Sequence, residues 1–155
     1  MHKHMHIIPR PGSHQKDEGG FRLFPDCESP DQRDAPFRYF KRDLYGSDLE
    51  KPISSKALLK IYLDLLAQTR TALGISNESP QSICPHNVVL VKEWIVVVPR
   101  RSNDFKSVTA NAAGMMGSVW LMNEGQLDRW KSLGLRNVLS HLGVPAQEGG
   151  DAGSV

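Results

Sequence analysis

Two short apolar runs, separated by only two residues, constrain the fold of this 155-residue chain more than any other feature. The first run covers residues 87–91 and the second covers residues 94–98, with Lys92 and Glu93 between them. Branched and aromatic side chains dominate both runs, as is typical of strands buried in a sheet. Such a short connection favours antiparallel pairing, so we predict a buried β-hairpin, although Lys-Glu lacks the glycine of the commonest tight turns.

Helical patterns flank this hairpin on both sides. Residues 56–73 place apolar side chains at spacings of three and four, serines precede the first turn, and Gly74 ends the pattern. Two shorter helices are predicted at residues 124–133 and 136–142, each followed by a glycine. The predicted fold class is therefore α+β, with a mainly antiparallel sheet and helices packed against it.

Composition and charge exclude several classes of protein. Hydrophobic residues make up 39% of the chain and the net charge is +2, without a long basic block, so nucleic acid is not an expected partner. No apolar run approaches the roughly 20 residues that span a bilayer, so a membrane is not expected either. Cys27 and Cys84 are too few for a disulfide framework and indicate reduced thiols. We therefore expect a cytoplasmic protein.

The composition changes along the chain and suggests four regions. Residues 1–8 form a histidine-rich segment that is expected to be a strand, and residues 9–56 form a variable loop rich in proline and charge. Within this loop, alternation of apolar and polar side chains predicts a short strand at residues 36–40. Residues 57–145 are expected to be the folded domain, and residues 146–155 a disordered tail.

Three histidines alternate at the start of the chain, at His2, His4 and His6. On a strand they would project from one face, about 6.8 Å apart. Such imidazoles can bind zinc or attack a phosphate ester, and the same pattern is typical of a flexible terminus or an affinity tag. The triplet alone favours the flexible terminus first and metal binding second, because no acidic fourth ligand adjoins it.

The string His-Lys-His-Met-His-Ile-Ile-Pro at residues 2–9 resembles the histidine-triad signature of the fungal-type ATP adenylyltransferases, also called diadenosine tetraphosphate phosphorylases. The similarity continues at residues 36–40, at residues 87–100, at residues 111–117 and at residues 135–145, in the family's order. The chain thus resembles the C-terminal half of this family. The resemblance implies a histidine-triad-like fold of which a preceding half would supply further strands and part of the phosphate pocket.

The resemblance also implies a mechanism. His4 would be the nucleophile that attacks the phosphorus next to adenosine and forms an adenylyl-histidine, which phosphate then resolves. His2 would orient the site, and His6 would sit over the leaving or bridging oxygen. The expected partner is a small-molecule nucleotide, with no tightly bound cofactor and no metal-ligating residues. A divalent cation that neutralises the phosphates is left open, as is the oligomeric state.

The family's nucleotide contacts fall on small or flexible residues of this chain. Small side chains let a ligand approach the backbone, and an asparagine amide can both donate and accept. The implied contacts are Asn111, Ala112, Ala113, Ser118 and Met122. Without the resemblance, residues 110–117 would be interpreted as a tightly packed crossover. Trp94 and Trp120 are expected in the core, and Arg100 and Arg101 at a solvated strand end.

Two positions depart from the family pattern. His6 stands where the family's phosphorylases carry glutamine, and Met122 stands where they carry a lysine that pairs with phosphate. Both departures bear on phosphorolysis rather than on nucleotide binding. The alternative hypothesis is therefore a catalytically impaired, truncated paralogue or gene-model fragment that at most binds nucleotide.

Overall fold

The computed structural model describes residues 35–44, 53–76 and 83–146. In these ranges the strands form one antiparallel sheet in the order β1-β3-β2. The strands are β1 (Phe40–Asp43), β2 (His86–Leu90) and β3 (Trp94–Pro99). The helices are α1 (Ser55–Ala72), α2 (Ala112–Met115), α3 (Glu124–Leu133) and α4 (Leu135–Leu142). The predicted α+β class with an antiparallel sheet is confirmed.

The central strand, β3, is buried along its whole length. Trp94, Val96 and Val98 belong to a larger core that the C-terminal helices complete, whereas Ile95 and Val97 belong to a smaller core under α1. Successive side chains of a strand point to opposite faces, so each face of β3 contributes to a different core. This two-sided burial explains why the run is apolar without alternation.

The predicted hairpin is present, but only one of its strands is buried. β2 pairs with β3 from His86 opposite Pro99 to Leu90 opposite Ile95. Val88 is 37% exposed and Leu90 is 52% exposed. Burial was therefore predicted wrongly for β2, because within the described ranges this strand has a neighbour on one side only.

The helix α1 begins and ends with the signals that the sequence contains. The Oγ of Ser54 accepts the backbone N–H of Ala57 at 3.2 Å, which caps the first turn. At the other end, Gly74 has a positive φ of 68° and lets the N–H of Ile75 donate to the carbonyl of Arg70 at 2.9 Å. This is the Schellman arrangement that ends many helices at glycine.

The strand expected at residues 36–40 lies further along the chain. β1 overlaps this range only at its first residue, because the backbone before it is bonded elsewhere. Phe37 is buried and forms a bridge with Pro145, and the N–H of Arg38 donates to the carbonyl of Val144 at 2.7 Å. This contact closes the fold by joining the segment before β1 to the residues after α4.

The two C-terminal helices lie where they were predicted, with Gly134 between them at a φ of 79°. Trp130 of α3 and Val138 and Leu142 of α4 enter the larger core. No helix in the described ranges is both long and apolar enough to cross a membrane. The histidine-rich segment at residues 1–8 and most of the expected tail, residues 147–155, lie outside the described residues.

Candidate nucleotide-binding site

The chain leaves β3 through Arg100, whose side chain is buried. Its Nη1 donates to the carbonyl of Ala110 at 2.9 Å, and its Nη2 donates to the carbonyl of Ser102 at 3.0 Å. Burial lowers the pKa of Arg100 from its ordinary value. The expectation of a solvated strand end was therefore wrong for Arg100 and correct for Arg101, which is exposed. Arg100 fixes the loop that leads into the predicted nucleotide contacts.

Asn111, the first of these contacts, caps the short helix α2. Its Oδ1 accepts the N–H of Gly114 at 2.8 Å, and its carbonyl accepts the N–H of Met115 at 3.0 Å. The residue itself is exposed. Because the cap occupies the amide oxygen, the Nδ2 group remains as the donor that this side chain can offer to a ligand.

The chain reverses at the end of α2, which brings Ser118, a further predicted nucleotide contact, next to α2. Gly117 has a φ of 95°, and beyond it the N–H of Ser118 donates to the carbonyl of Ala113 at 2.9 Å. The structure therefore joins four of the five predicted contacts in one hydrogen-bonded unit, which we call the 111–118 turn. The four are Asn111, Ala112, Ala113 and Ser118.

Gly114 is required inside this turn because of a close approach. A Cβ at this position would lie 2.9 Å from the Cβ of Ala110, nearer than side-chain carbons normally come. Ala110 cannot easily withdraw, because it is buried and its carbonyl is bonded to Arg100. The small-residue composition therefore has a packing role as well as the role that the resemblance implies.

After the turn, residues 118–122 alternate between core and solvent. Val119 and Leu121 pack against the larger core. Trp120 is 69% exposed and Met122 is 85% exposed. Trp120 therefore lies on the outward side of this segment. In the sequence it stands between two predicted nucleotide contacts, Ser118 and Met122.

The expectation that both tryptophans lie in the core is confirmed for Trp94 and wrong for Trp120. An exposed indole is a flat apolar surface on which a purine base can stack. Sequence reasoning missed Trp120 as a candidate contact. A period of two in Ser-Val-Trp-Leu-Met would have revealed it, because Val119 and Leu121 then share the inner side.

Met122, the fifth predicted contact, is fixed by the start of α3 rather than by the turn. Its N–H donates to the Oε1 of Gln126 at 2.8 Å, while the Oδ1 of Asn123 accepts the N–H of Gln126 at 3.0 Å. These bonds resemble a capping box. The side chain of Met122 extends into solvent as a thioether and offers a phosphate no positive charge.

The proposed catalytic histidines, His2, His4 and His6, lie outside the described residues. Their position relative to the 111–118 turn therefore stays a prediction. Within residues 35–44, 53–76 and 83–146, no three histidine, cysteine, aspartate or glutamate side chains come together as a metal site.

A second polar cluster joins α1 to the start of β2. The Nδ1 of His86 lies 2.7 Å from the carbonyl of Cys84, and its Nε2 lies 3.0 Å from the hydroxyl of Tyr62. Because a carbonyl only accepts, Nδ1 donates to it, and Nε2 lies within hydrogen-bond distance of the Tyr62 hydroxyl. Burial and, secondarily, Cys84 raise the pKa of Tyr62, while burial raises the pKa of Cys84 against the opposing charge of Arg70. This cluster holds the edge strand against α1.

The sheet, its helices and the 111–118 turn make up one α+β arrangement within the described residues. Residues 33–145 match the family model of the ATP adenylyltransferase C-terminal domain. The chain belongs to this family.

Individual relatives agree with this assignment. Protein APA1 of Saccharomyces cerevisiae is 25% identical over 131 residues, which cover 79% of this chain and 41% of APA1. The crystal structure of yeast Ap4A phosphorylase Apa2 matches with a TM-score of 0.64 at 23% identity, over 83% of this chain and 48% of Apa2. Apa2 in complex with Ap4A matches with a TM-score of 0.62 at 20% identity, over 83% of this chain and 46% of Apa2.

All of these matches cover only part of the related protein. The chain spans less than half the length of the relatives it matches. The structural likeness shows that this chain has the fold of the matched part of Apa2.

Proposed function

We propose that this chain binds adenine nucleotides at the 111–118 turn and acts as a nucleotidyltransferase on Ap4A and ATP. The observation that carries the proposal is the joining of Asn111, Ala112, Ala113 and Ser118 in one hydrogen-bonded unit, in a chain of the ATP adenylyltransferase family. The structures of Apa2 with AMP and with Ap4A support this ligand class.

The turn suits a nucleotide for chemical reasons. The Nδ2 group of Asn111 and the hydroxyl of Ser118 can donate to ribose or phosphate oxygens. The alanines between them carry no atoms beyond Cβ, so a ligand can approach the backbone closely. Trp120 follows with an exposed indole face for the base.

The chemistry itself is assigned to the histidine signature. An imidazole nitrogen of His4 attacks the phosphorus next to adenosine, which forms a nitrogen–phosphorus bond and breaks the bond to the bridging oxygen. ATP leaves when the substrate is Ap4A. His6 can protonate the leaving oxygen, and His2 orients the nucleophile. An oxygen of inorganic phosphate then attacks the same phosphorus, breaks its bond to His4 and releases ADP.

The test is phosphorolysis by the purified chain. Incubation with Ap4A and phosphate is expected to yield ATP and ADP in equal amounts, and His4→Ala is expected to abolish turnover while nucleotide binding persists. His14→Ala, a histidine outside the signature, serves as the matched control and is expected to leave turnover unchanged. A folded sample that binds Ap4A without converting it would contradict the catalytic part of the proposal.

The second candidate is a protein that binds nucleotide without turnover. Met122 favours this candidate, because its uncharged thioether stands where the resemblance implies a lysine that pairs with phosphate. The residue is 85% exposed, so no neighbouring group in the described part of the chain replaces that charge by packing against it. Met122→Lys is then expected to tighten binding of Ap4A more than binding of AMP, because only Ap4A carries the additional phosphates. Equal effects on both ligands would remove this argument.

A further inference from the structure

The methionines that the structure describes differ widely in exposure. Met122 is 85% exposed, whereas Met115 and Met116 are each 1% exposed and belong to the larger core. A thioether is oxidised where an oxidant reaches its sulfur, so exposure decides which of these methionines reacts first. Met122 is therefore the one of the three that a small oxidant in solution can attack.

The exposure of Met122 belongs to a well-anchored part of the fold. Leu121, the residue before it, packs against the larger core, and Asn123, the residue after it, caps α3. The N–H of Met122 itself donates to the Oε1 of Gln126 at 2.8 Å. Because the backbone is fixed on both sides, the thioether is exposed on an ordered surface rather than on a frayed end of the chain.

The surface around Met122 is the one that we assign to the nucleotide. Trp120 and Met122 are both exposed, while Val119 and Leu121 pack against the larger core. The indole and the thioether thus lie on the outward side of the same short segment, which begins at Ser118 in the 111–118 turn. A chemical change at the Met122 sulfur therefore takes place beside the proposed nucleotide site.

We propose that Met122 is a site of oxidation by hydrogen peroxide, and that its sulfoxide weakens the binding of Ap4A. The sulfur attacks one oxygen of the peroxide, so a sulfur–oxygen bond forms and the oxygen–oxygen bond breaks. The departing hydroxide takes the proton from the oxygen on sulfur and leaves as water. Sulfur loses two electrons in this step, and the peroxide gains them.

The sulfoxide changes the chemistry of the surface. It replaces a flexible apolar group by a polar one, and its oxygen carries a partial negative charge. This oxygen repels phosphate groups, so binding of Ap4A is affected more than binding of AMP, which carries less negative charge. The effect on binding rests on the proposed function, whereas the oxidation site does not.

Peptide mass spectrometry after limited treatment with hydrogen peroxide tests the site itself. We expect one oxygen atom to be added at Met122 at least about tenfold faster than at Met115 or Met116, whose sulfurs are reached only when the core opens. Similar rates at the three positions would overturn the proposal, as would a Met122 that stays unoxidised.

Binding of nucleotide before and after the same treatment tests the consequence. Peroxide is expected to weaken binding of Ap4A by about threefold or more, and binding of AMP by less. Met122→Leu is expected to lose this response, so that its affinity is the same before and after treatment. Met116→Leu, the matched change at a buried position, is expected to keep the response. A response that persists in Met122→Leu would overturn the proposal, and so would an oxidised parent chain that binds Ap4A unchanged.

Two further readings separate this proposal from other causes. A parent chain that binds no nucleotide before treatment would overturn the proposed function and, with it, the effect on binding, while mass spectrometry still decides the oxidation site. The midpoint of urea unfolding is expected to be unchanged by the treatment, because Met122 lies outside both cores. A lowered midpoint would assign the weaker binding to loss of the fold and would contradict the effect proposed for the sulfoxide.

Discussion

The guanidinium of Arg100 donates to the carbonyl of Ala110 at 2.9 Å, which ties the end of the central strand to the residue before Asn111. A second bond from the same group reaches the carbonyl of Ser102. The loop between strand and turn is therefore organised around one buried cation. We expect this side chain to contribute more to the stability of the candidate nucleotide site than α2, which is a single short turn of helix.

Arg100→Met is expected to lower the free energy of unfolding by about 2–4 kcal/mol, because it removes a buried charged donor and leaves buried carbonyls unsatisfied. Urea unfolding measures this loss, and faster hydrogen exchange at the Met115 amide would locate it in the turn. Arg101→Met, at the exposed neighbour, is the control and should change stability by no more than about 0.5 kcal/mol. Equal effects of the two substitutions would contradict the role given to Arg100.

Gly114→Ala is expected to destabilise the chain by about 1–3 kcal/mol, despite the better helix propensity of alanine, because the new methyl group meets the Cβ of Ala110. Gly125→Ala provides a matched comparison in α3, where a Cβ would approach only the Oδ1 of Asn123, at 3.4 Å. This second change should be neutral or stabilising by up to about 1 kcal/mol. Thermal unfolding distinguishes the pair, and a reversed order would refute the packing argument.

Trp120 is expected to report nucleotide binding through its fluorescence, because Trp94 and Trp130 are buried. AMP should quench the emission, and Trp120→Leu should remove the quenching and weaken binding by about 1–3 kcal/mol, as for other bases stacked on aromatic side chains. Leu135→Ala, at an exposed position on α4, is the control. An unchanged dissociation constant for Trp120→Leu would exclude the stacking role.

Stability is expected to fall at alkaline pH because of the cluster at the start of β2. The pKa values of Tyr62 and Cys84 are raised in the folded chain above their ordinary values of 10.0 and 9.0. The unfolded chain therefore loses these protons first, so the stabilisation is complete below about pH 9 and is lost as pH rises through the folded values. Combining Tyr62→Phe with Cys84→Ser should flatten the alkaline decline in urea unfolding. A decline of the same slope in the double variant would argue against this origin.

Much of the fold could be predicted because its signals are local. Residues 94–98 are apolar on both faces, and Ser54 and Gly74 mark the ends of α1 within a few residues of the groups they cap. The family resemblance, rather than any local pattern, singled out Asn111. The hydrogen bond from Gly114 to Asn111 is local. The role of Asn111 as a candidate nucleotide contact, however, also requires Ser118 to return to the same turn.

Features that depend on distant contacts were missed. An arginine after a strand is usually solvated, but Arg100 is buried and donates to the carbonyl of Ala110, ten residues further along the chain. Phe37 was predicted to lie in a strand because apolar and polar side chains alternate around it. Its burial comes from Gly143, where an added Cβ would lie 2.8 Å from the Cβ of Phe37. The contact between Phe37 and Gly143 joins opposite ends of the described chain, so no short window of sequence contains both partners.

The most direct test of nucleotide binding at the 111–118 turn is an amide chemical-shift titration of the isotope-labelled chain with AMP and with Ap4A. We expect the largest shifts at Ala112, Ala113, Ser118 and the Trp120 indole. Asn111→Ser keeps a capping oxygen but removes the amide donor, and it should weaken binding by about tenfold without unfolding the turn. Shifts that cluster elsewhere, or an Asn111→Ser variant that binds as tightly as the parent chain, would contradict the assignment of this turn as the nucleotide site.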